Sequence, residues 1–143
     1  MKFGIGQSVK RVEDKDLLLG QGRYTDDELP GDGYAVAFLR SPYAHAVLTS
    51  LDISEASSAP GVIMVASHAD MAADNVGEIH CQAYVDNSDG TVVPRITKPA
   101  MIADVVRYAG DIAAMVVAET RQQAMDAIEL IETDYESMAA VCD

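Results

Sequence analysis

DIAAMVVAETRQQAMDAIELIETDYES, residues 111–137, is the stretch that decides the class of fold. Residues 112–118 are apolar throughout, which is typical of a strand covered on both faces. Thr120 and Gln123 form a capping-box pattern, which predicts that a helix begins there. Apolar residues then recur at helical spacing, at Ala124, Ala127, Ile128 and Ile131. Residues 132–140 predict a final strand, so this stretch is a strand–helix–strand unit.

A second strand–helix–strand unit lies upstream in the sequence. Residues 47–51 favour a strand, and the capping-box pattern DISE at 52–55, with Asp52 as N-cap, predicts a helix over 53–59. Pro60 ends that helix, because proline cannot extend it. The apolar run VIMVA at 62–66 then predicts another strand.

The first predicted strand is residues 34–40, YAVAFLR, bounded by turn-forming residues. The short connection 41–46 predicts that this strand pairs antiparallel with the strand at 47–51. After 62–66, Ser67 and Asp70 predict the cap of a further short helix. Together these elements predict an α+β fold, in which short helices pack on a small mixed sheet.

Residues 75–98 give the weakest pattern of the body. Two strands are predicted there, at 79–85 and 91–96, joined by the turn-forming cluster DNSDG at 86–90. The cluster resembles a calcium loop, but its spacing is one residue short and no downstream Glu completes it. We therefore interpret it as a surface turn.

Charge and composition exclude several classes of protein. The chain has 143 residues, 49% of them apolar, and a net charge of −13 with a pI near 4.4. Nucleic acids and anionic membranes require clustered basic residues, so neither is an expected partner. No apolar run is long enough to span a bilayer, and the first residues lack a secretory signal. We therefore expect a cytoplasmic protein of one domain's size.

Cysteine and histidine show no metal-binding spacing. Cys81 and Cys142 lie far apart and outside any CxxC pattern, so we expect them to act as small apolar side chains. The histidines stand in separate segments, at His45, His68 and His80. We expect them to serve as ordinary hydrogen-bonding groups.

The glycine patterns do not complete a nucleotide-binding motif. Gly20 and Gly22 are followed by Thr25 where a dinucleotide-binding fingerprint has its third glycine, and no strand precedes them. Phosphate-binding and nucleophile-elbow motifs are also missing from the sequence. We therefore predict no catalytic, cofactor-binding or metal-binding residue in this chain.

Several motifs, taken in order, resemble one family. They are VKRVED at 9–14, LLGQGRYTDD at 18–27, LRSPYAHA at 39–46, APGV at 59–62, VRYAG at 106–110, AAMVVAETR at 113–121 and DYE at 134–136. These motifs resemble the N-terminal α/β hammerhead domain of the large, molybdenum-binding subunits of xanthine dehydrogenases, aldehyde oxidases and carbon monoxide dehydrogenases. The resemblance leaves only about residues 71–98 without support.

The resemblance implies where the cofactors of the complete enzyme lie. Molybdopterin and the catalytic glutamate belong to later domains of a longer subunit, and the iron–sulfur and FAD centres belong to other domains or subunits. No catalytic or cofactor residue of the family therefore maps onto this chain. The implied partners are the remaining large-subunit domains and the iron–sulfur and flavin subunits.

Two functions remain open from the sequence. In the first, the chain is the N-terminal domain of a molybdenum-dependent hydroxylase or dehydrogenase large subunit, with a structural and assembly role and no activity alone. In the alternative, it is a stand-alone, non-catalytic binding or assembly module of the same fold. The substrate of a complete enzyme would be chosen by residues downstream.

Four residues are candidates for structuring turns or for facing a partner subunit: Tyr24, Arg40, His45 and Gly110. We divide the chain into an N-terminal arm, 1–32, and a hammerhead domain, 33–143. The arm lacks a hydrophobic period of its own, so we predict that it is more mobile than the body in the isolated chain and that it serves assembly.

Overall fold

The structure is a computed structural model that describes residues 6, 10–28, 31, 33–82, 85, 87–94 and 96–140. Cys142 and most of residues 1–9 lie outside the described residues, as does part of the turn cluster at 86–90. The chain separates into two compact units, Met1–Gly33 and Tyr34–Asp143.

The first unit contains one short helix and one 3₁₀ turn among its described residues. Helix α1 spans Asp14–Leu18 and buries no side chain. An ion pair between Arg11 Nε and Asp14 Oδ1, 3.0 Å apart, lies at its start. The 3₁₀ turn spans Thr25–Asp27. The carboxylate of Asp27 accepts a hydrogen bond of 2.9 Å from the backbone N–H of Tyr24, which holds this turn.

The described part of the second unit alternates strands with three helices. The strands are β1 Ala35–Arg40, β2 Ala46–Asp52, β3 Val62–Ala66, β4 Ile79–His80, β5 Thr97–Lys98, β6 Val105–Val106, β7 Ile112–Ala118 and β8 Glu132–Ser137. The helices are α2 Ser54–Ser57, α3 His68–Ala73 and α4 Arg121–Glu129. No helix among the described residues has the length and apolar character that a membrane crossing requires.

The strands form three antiparallel sheets, in the orders β1-β7-β3, β6-β2-β8 and β4-β5. The α+β class with short helices is therefore confirmed. The single mixed sheet is wrong, because every strand pair among the described residues is antiparallel. Helices α2 and α4 each connect a strand of one three-stranded sheet to a strand of the other, so neither crossover produces parallel neighbours.

The predicted pairing of the first two strands with each other is also wrong. β1 pairs with β7, whereas β2 pairs with β6 and β8. The reason is that the connection 41–46 does not fold back as a hairpin. Residues 35–52 continue as one bent ribbon, and its first part, 35–47, lies alongside residues 105–118, so that Arg40 pairs with Ile112 and Ala46 with Val106.

The main core lies between the β1-β7-β3 sheet and helix α4. β7 is mostly buried, as its apolar sequence predicts. Helix α4 contributes Ala124 and Ala127, both fully buried, against Val116 and the alanines of the sheet. Small side chains let the helix approach the sheet closely, and dense packing of this kind gives a core its stability. A second cluster surrounds Val106 in the other sheet.

The predicted caps agree with the structure in two of three helices. Thr120 is the N-cap of α4, and its Oγ1 accepts a hydrogen bond of 3.3 Å from the N–H of Gln123. At α3, the carboxylate of Asp70 accepts a bond of 2.7 Å from the N–H of Ser67. The cap of α2 differs from the prediction. The N-cap of α2 is Ile53, because Asp52 still belongs to β2. The carboxylate of Asp52 nevertheless accepts a hydrogen bond of 2.9 Å from the backbone N–H of Ser54.

The described part of the middle of the second unit has less regular structure than the sequence predicts. Of the strand expected at 79–85 the described residues form only β4, and of the strand expected at 91–96 they form none; β5 follows directly after and shares two residue pairs with β4. Between them, Thr91 donates hydrogen bonds to the carboxylate of Asp89, and Gly90 has φ +78°, as in a tight turn. The surface-turn interpretation fits the described part of this cluster.

Candidate functional site

Three of the four residues that the sequence singled out lie where two loops of the second unit meet. The connection 41–46 lies against the loop 105–111. Ser41 N–H donates to the carbonyl of Asp111, and Gly110 N–H donates to the carbonyl of Ser41, both at 2.8 Å. Because each loop satisfies backbone groups of the other, the two hold one another in a defined conformation.

Arg40 and Gly110 are brought into direct contact. Arg40 Nη1 donates a hydrogen bond of 2.9 Å to the carbonyl of Gly110, and its guanidinium lies 5.6 Å from the ring centroid of Phe38. Gly110 has φ +92°, a conformation that favours glycine. The remainder of the Arg40 side chain is exposed. Arg40 thus fixes the loop while presenting charge at the surface.

His45 lies at the other end of the same connection. Its Nδ1 is 2.7 Å from the carbonyl oxygen of Ala139, which makes Nδ1 the protonated, donating nitrogen. The backbone carbonyl of His45 accepts a second bond, of 3.0 Å, from Met138 N–H. Both contacts tie the segment that follows β8 to the start of β2. Tyr43 and Tyr135 stack beside it with ring centroids 5.1 Å apart.

Tyr24, the fourth candidate, lies in the first unit. Its side chain is largely exposed, and its backbone N–H is bonded to Asp27 as described above. The structure therefore places Arg40, His45 and Gly110 at one pair of loops, with Tyr24 in a separate unit.

Sequence reasoning missed three side chains beside the same loop. Lys98 Nζ donates a hydrogen bond of 2.7 Å to the hydroxyl of Tyr108 and lies 4.8 Å from its ring centroid. Arg107 precedes Tyr108 in the loop, and its Nη1 donates to the carbonyl of Val105. A signal existed in the sequence, since basic residues are rare after residue 28 and three of them fall within 95–107.

A cavity of about 350 Å³ opens between this loop and the β4-β5 pair. Ile79, Ile96 and the ring of Tyr108 give it an apolar lining, while Lys98 and Arg107 stand in its wall. An apolar hollow with a few charged groups is the usual form of a binding site.

The carboxylates whose pKa is lowered lie in turns and helix caps, and none of them lines this cavity. Hydrogen bonds from the side chain and backbone of Ser54 lower the pKa of Asp52, and the backbone and hydroxyl of Ser67 lower that of Asp70. The hydroxyl and backbone of Thr91 do the same for Asp89. Each donor favours the charged carboxylate, so these groups stabilise caps and turns.

Metal-ligating side chains are dispersed over the part of the chain that the structure describes. No group of three or more His, Cys, Asp or Glu residues there could hold a metal ion. His68 Nδ1 is a buried atom without a hydrogen-bond partner among the described residues. The described residues therefore supply structured loops and a charged apolar hollow, but no donor set for a metal.

Comparison with known proteins shows the same fold in much longer chains. Residues 19–139 match the family model described as the aldehyde oxidase and xanthine dehydrogenase a/b hammerhead domain. The chain is 37% identical over 139 residues to the nicotine 6-hydroxylase large subunit of Paenarthrobacter nicotinovorans. That match covers 97% of this chain and 16% of the relative.

Two solved structures extend the comparison. Quinoline 2-oxidoreductase from Pseudomonas putida 86 superposes with a TM-score of 0.81 at 38% identity, over 99% of this chain and 17% of the other. A structure titled Cu,Mo-CO dehydrogenase gives a TM-score of 0.74 at 34% identity, over 98% of this chain and 16% of the other. The chain thus spans about one-sixth of the length of the relatives that it matches.

Proposed function

Since this chain belongs to the family of aldehyde oxidase and xanthine dehydrogenase a/b hammerhead domains, we propose that it is the structural and assembly part of a molybdenum-dependent hydroxylase or dehydrogenase large subunit. One observation carries the proposal. The similarity extends over nearly the whole chain but covers only about one-sixth of each relative. Such a chain supplies one structural part of a larger enzyme and has no activity by itself.

The complete enzyme would oxidise a small carbon centre. Molybdopterin would supply the hydroxylation chemistry, with the new oxygen taken from water and the electrons passed to iron–sulfur and FAD centres. The relatives support this class of reaction, because one is named a hydroxylase and another is titled a Cu,Mo enzyme. The described residues offer no donor set for molybdenum. We therefore assign no step of the reaction to this chain.

We propose that the paired loops are the part of the domain that faces the rest of the assembly. Arg40 and Gly110 hold the loop 105–111, and His45 fixes the end of β8. Each of these contacts makes a surface loop rigid, and a rigid surface loses less conformational entropy when a partner binds. The expected partners are the remaining large-subunit domains and the iron–sulfur and flavin subunits. Relatives named as a large subunit and as a subunit of a dehydrogenase complex support this expectation.

The arm and the domain boundary belong to the same proposal. We propose that residues 1–32, including Tyr24, serve assembly and that residues 33–143 form the hammerhead domain. The family match begins at residue 19, so it includes the second half of the arm. We further propose that the complete enzyme works in the cytoplasm.

The test is assembly of the full-length subunit that contains this chain. Deletion of residues 1–19 should weaken co-purification with the iron–sulfur and flavin subunits, while circular dichroism shows the domain still folded. If the truncated domain unfolds, the arm is part of the core and its assembly role is wrong. Stoichiometric molybdenum on the purified 143-residue chain would contradict the structural role. Co-purification of the short chain with those subunits, without any longer subunit, would identify a stand-alone module instead.

A further inference from the structure

The second unit is strongly acidic, yet its basic side chains gather at one loop. After residue 28 the sequence has five basic and 17 acidic residues. Three of the five basic residues, Arg40, Lys98 and Arg107, meet at the loop 105–111. Arg40 bonds to the carbonyl of Gly110, Lys98 bonds to the hydroxyl of Tyr108, and Arg107 belongs to the loop itself. We call these three residues and Tyr108 the cationic loop surface.

The cations of this surface have no ionic partner within the described ranges. The two ion pairs found there join Arg11 with Asp14 and Arg23 with Glu28, all in the first unit. Carboxylates do lie nearby, Asp104 and Asp111 at the two ends of the loop and Glu78 beside β5, but none of them forms an ion pair with these cations among the described residues. Asp111 accepts from the backbone N–H of Arg107, and Glu78 accepts from the hydroxyl of Thr97. An acidic domain thus leaves its clustered positive charges available to an external anion.

Apolar side chains adjoin two of these charges. The cavity beside Lys98 and Arg107 is lined by Ile79 and Ile96, and Ile96 is 72% exposed. Further exposed apolar side chains lie in the sequence between α3 and β5, at Val76, Val85 and Val92. Exposed apolar groups next to charged ones are typical of surfaces that bind another protein.

We propose that the cationic loop surface is a docking site for an acidic segment of a partner protein. The segment would present carboxylates to Lys98 and Arg107 and an apolar side chain to the cavity. Charge complementarity argues for this partner, because the surface offers three cations that have no carboxylate partner among the described residues. The inference rests on the proposed assembly role, for which it names the chemistry of the partner.

Both halves of the contact are needed on physical grounds. Exposed ion pairs in water each contribute little to affinity, so two carboxylates alone would bind weakly. An apolar side chain that fills the cavity adds the larger, salt-independent part of the attraction. A partner with only one of the two features would therefore bind measurably less well.

The test is an NMR titration of the chain with three probes: a poly(Glu,Tyr) copolymer, polyglutamate and sodium phosphate. The copolymer should shift the amide resonances of residues 97–98 and 105–111 and bind more tightly than polyglutamate, which lacks the aromatic side chain. In Lys98→Ala/Arg107→Ala the half-saturating copolymer concentration should rise by about tenfold, as expected for the loss of two exposed pairs. Arg121→Ala is the matched control, because Arg121 is an exposed cation on α4. It should leave binding unchanged.

Four outcomes would overturn the inference. An equal loss of binding in Arg121→Ala would show unspecific charge attraction. Phosphate that shifts the same resonances with the same affinity would indicate a small-anion site, and copolymer shifts confined to other residues would place the contact elsewhere. Equal binding of polyglutamate and the copolymer would show that an apolar side chain in the cavity does not contribute to binding. If the double variant does not fold, as judged by circular dichroism, Lys98→Met alone repeats the measurement.

An assembly experiment distinguishes a failure of this inference from a failure of the proposed function. A full-length subunit that fails to co-purify with its partner subunits, while the chain still binds the copolymer at this loop, would contradict the proposed function alone. Assembly that proceeds unchanged with Lys98→Ala/Arg107→Ala would contradict this inference alone.

Discussion

The β1-β7-β3 sheet and the segment 74–98 lie in the same unit but are stabilised to very different degrees. In the sheet, β7 pairs along most of its length with a neighbour on each side, and α4 covers one face. In the segment, β4 and β5 share two residue pairs, and both residues of β4 are exposed. The sheet therefore buries apolar side chains, whereas the segment leaves them at the surface.

The difference shows that the spacing of apolar residues along the sequence decides whether they are buried. Ala113, Ala114 and Val116 stand in an unbroken apolar strand and are fully buried. Val85 and Val92 are separated by polar and turn-forming residues, and each remains exposed. An apolar side chain contributes to a core only when its neighbours can be buried with it. Exposed apolar residues of the second kind remain available for contacts with a partner.

Hydrogen exchange should give the largest contrast between the two regions. Amides in β7 should open only with global unfolding, whereas those of β4 should open locally. A difference of about 4 kcal/mol in opening free energy would make the β7 amides exchange about 1,000-fold more slowly. NMR-detected exchange of Val116 and His80 measures it. Equal protection would show that the segment belongs to the cooperative core.

A pair of identical substitutions tests the same contrast in stability. Val116→Ala should lower the free energy of unfolding by about 2 kcal/mol, because Val116 is fully buried and its lost methyl groups leave a cavity. Val92→Ala should change it by less than about 0.5 kcal/mol, since Val92 is 80% exposed. Urea denaturation of both variants gives the two values. Similar losses in both would mean that Val92 is buried in solution.

Two glycines extend the comparison to backbone conformation. Gly110→Ala should cost about 1 kcal/mol, because φ +92° is strained for a residue with a side chain, although space is open around it. Gly77→Ala, in the exposed segment, should be nearly neutral, because its surroundings are open and its φ is not positive. Thermal unfolding of both variants measures the difference. A neutral Gly110→Ala would show that the loop relaxes without loss.

The smallest effects concern two carboxylates, Asp70 in α3 and Asp89 in the segment 74–98. The pKa of Asp70 and that of Asp89 both lie below the ordinary value of 3.8. A lowered pKa favours the folded state above that value, and the contribution is lost as the pH falls through the folded pKa. Thr91→Val should return the pKa of Asp89 toward 3.8, since the Thr91 hydroxyl is the main cause of its shift. Ser67→Ala should move Asp70 less, because its main donor is a backbone N–H.

Carboxyl-detected NMR titration measures both values, with Thr91→Ser as the control that keeps the hydroxyl. If Thr91→Ser raises the pKa of Asp89 as much as Thr91→Val does, the hydroxyl is not the cause of the shift. If Ser67→Ala returns the pKa of Asp70 fully to 3.8, the backbone N–H is not its main donor.

Sequence patterns predicted the elements whose signals are local. β7 and α4 were predicted because an unbroken apolar run and a cap with helical spacing each lie within one short stretch. Strand pairing was predicted less well, since the register of β1 depends on β7, far along the chain. Chain proximity favoured pairing β1 with β2. The hydrogen bonds between Ser41 and the loop 105–111 produce a different arrangement.

In the candidate site, too, residues with a local signal were predicted, whereas contacts between distant residues were not. Arg40, His45 and Gly110 were selected because they lie in family motifs and turns, and the structure places all three at the paired loops. Lys98 lies outside the family motifs, and Tyr108, although it lies in VRYAG, was not selected; their contact joins residues ten positions apart across a loop. Single-sequence patterns contain no information on such a contact. The charge imbalance of the second unit was the one feature that pointed toward it.

The bent ribbon of residues 35–52 also determines when this domain can fold during synthesis. β1 and β3 both require β7, and β2 requires β8 near the end of the chain. A ribosome that has added residue 95 has therefore synthesised β1, β2 and β3 without their main partners. At about 5–20 residues per second, those apolar strands wait several seconds for residues 112–137. Until those residues are made, the three strands stay unpaired, and unpaired apolar strands are prone to aggregation.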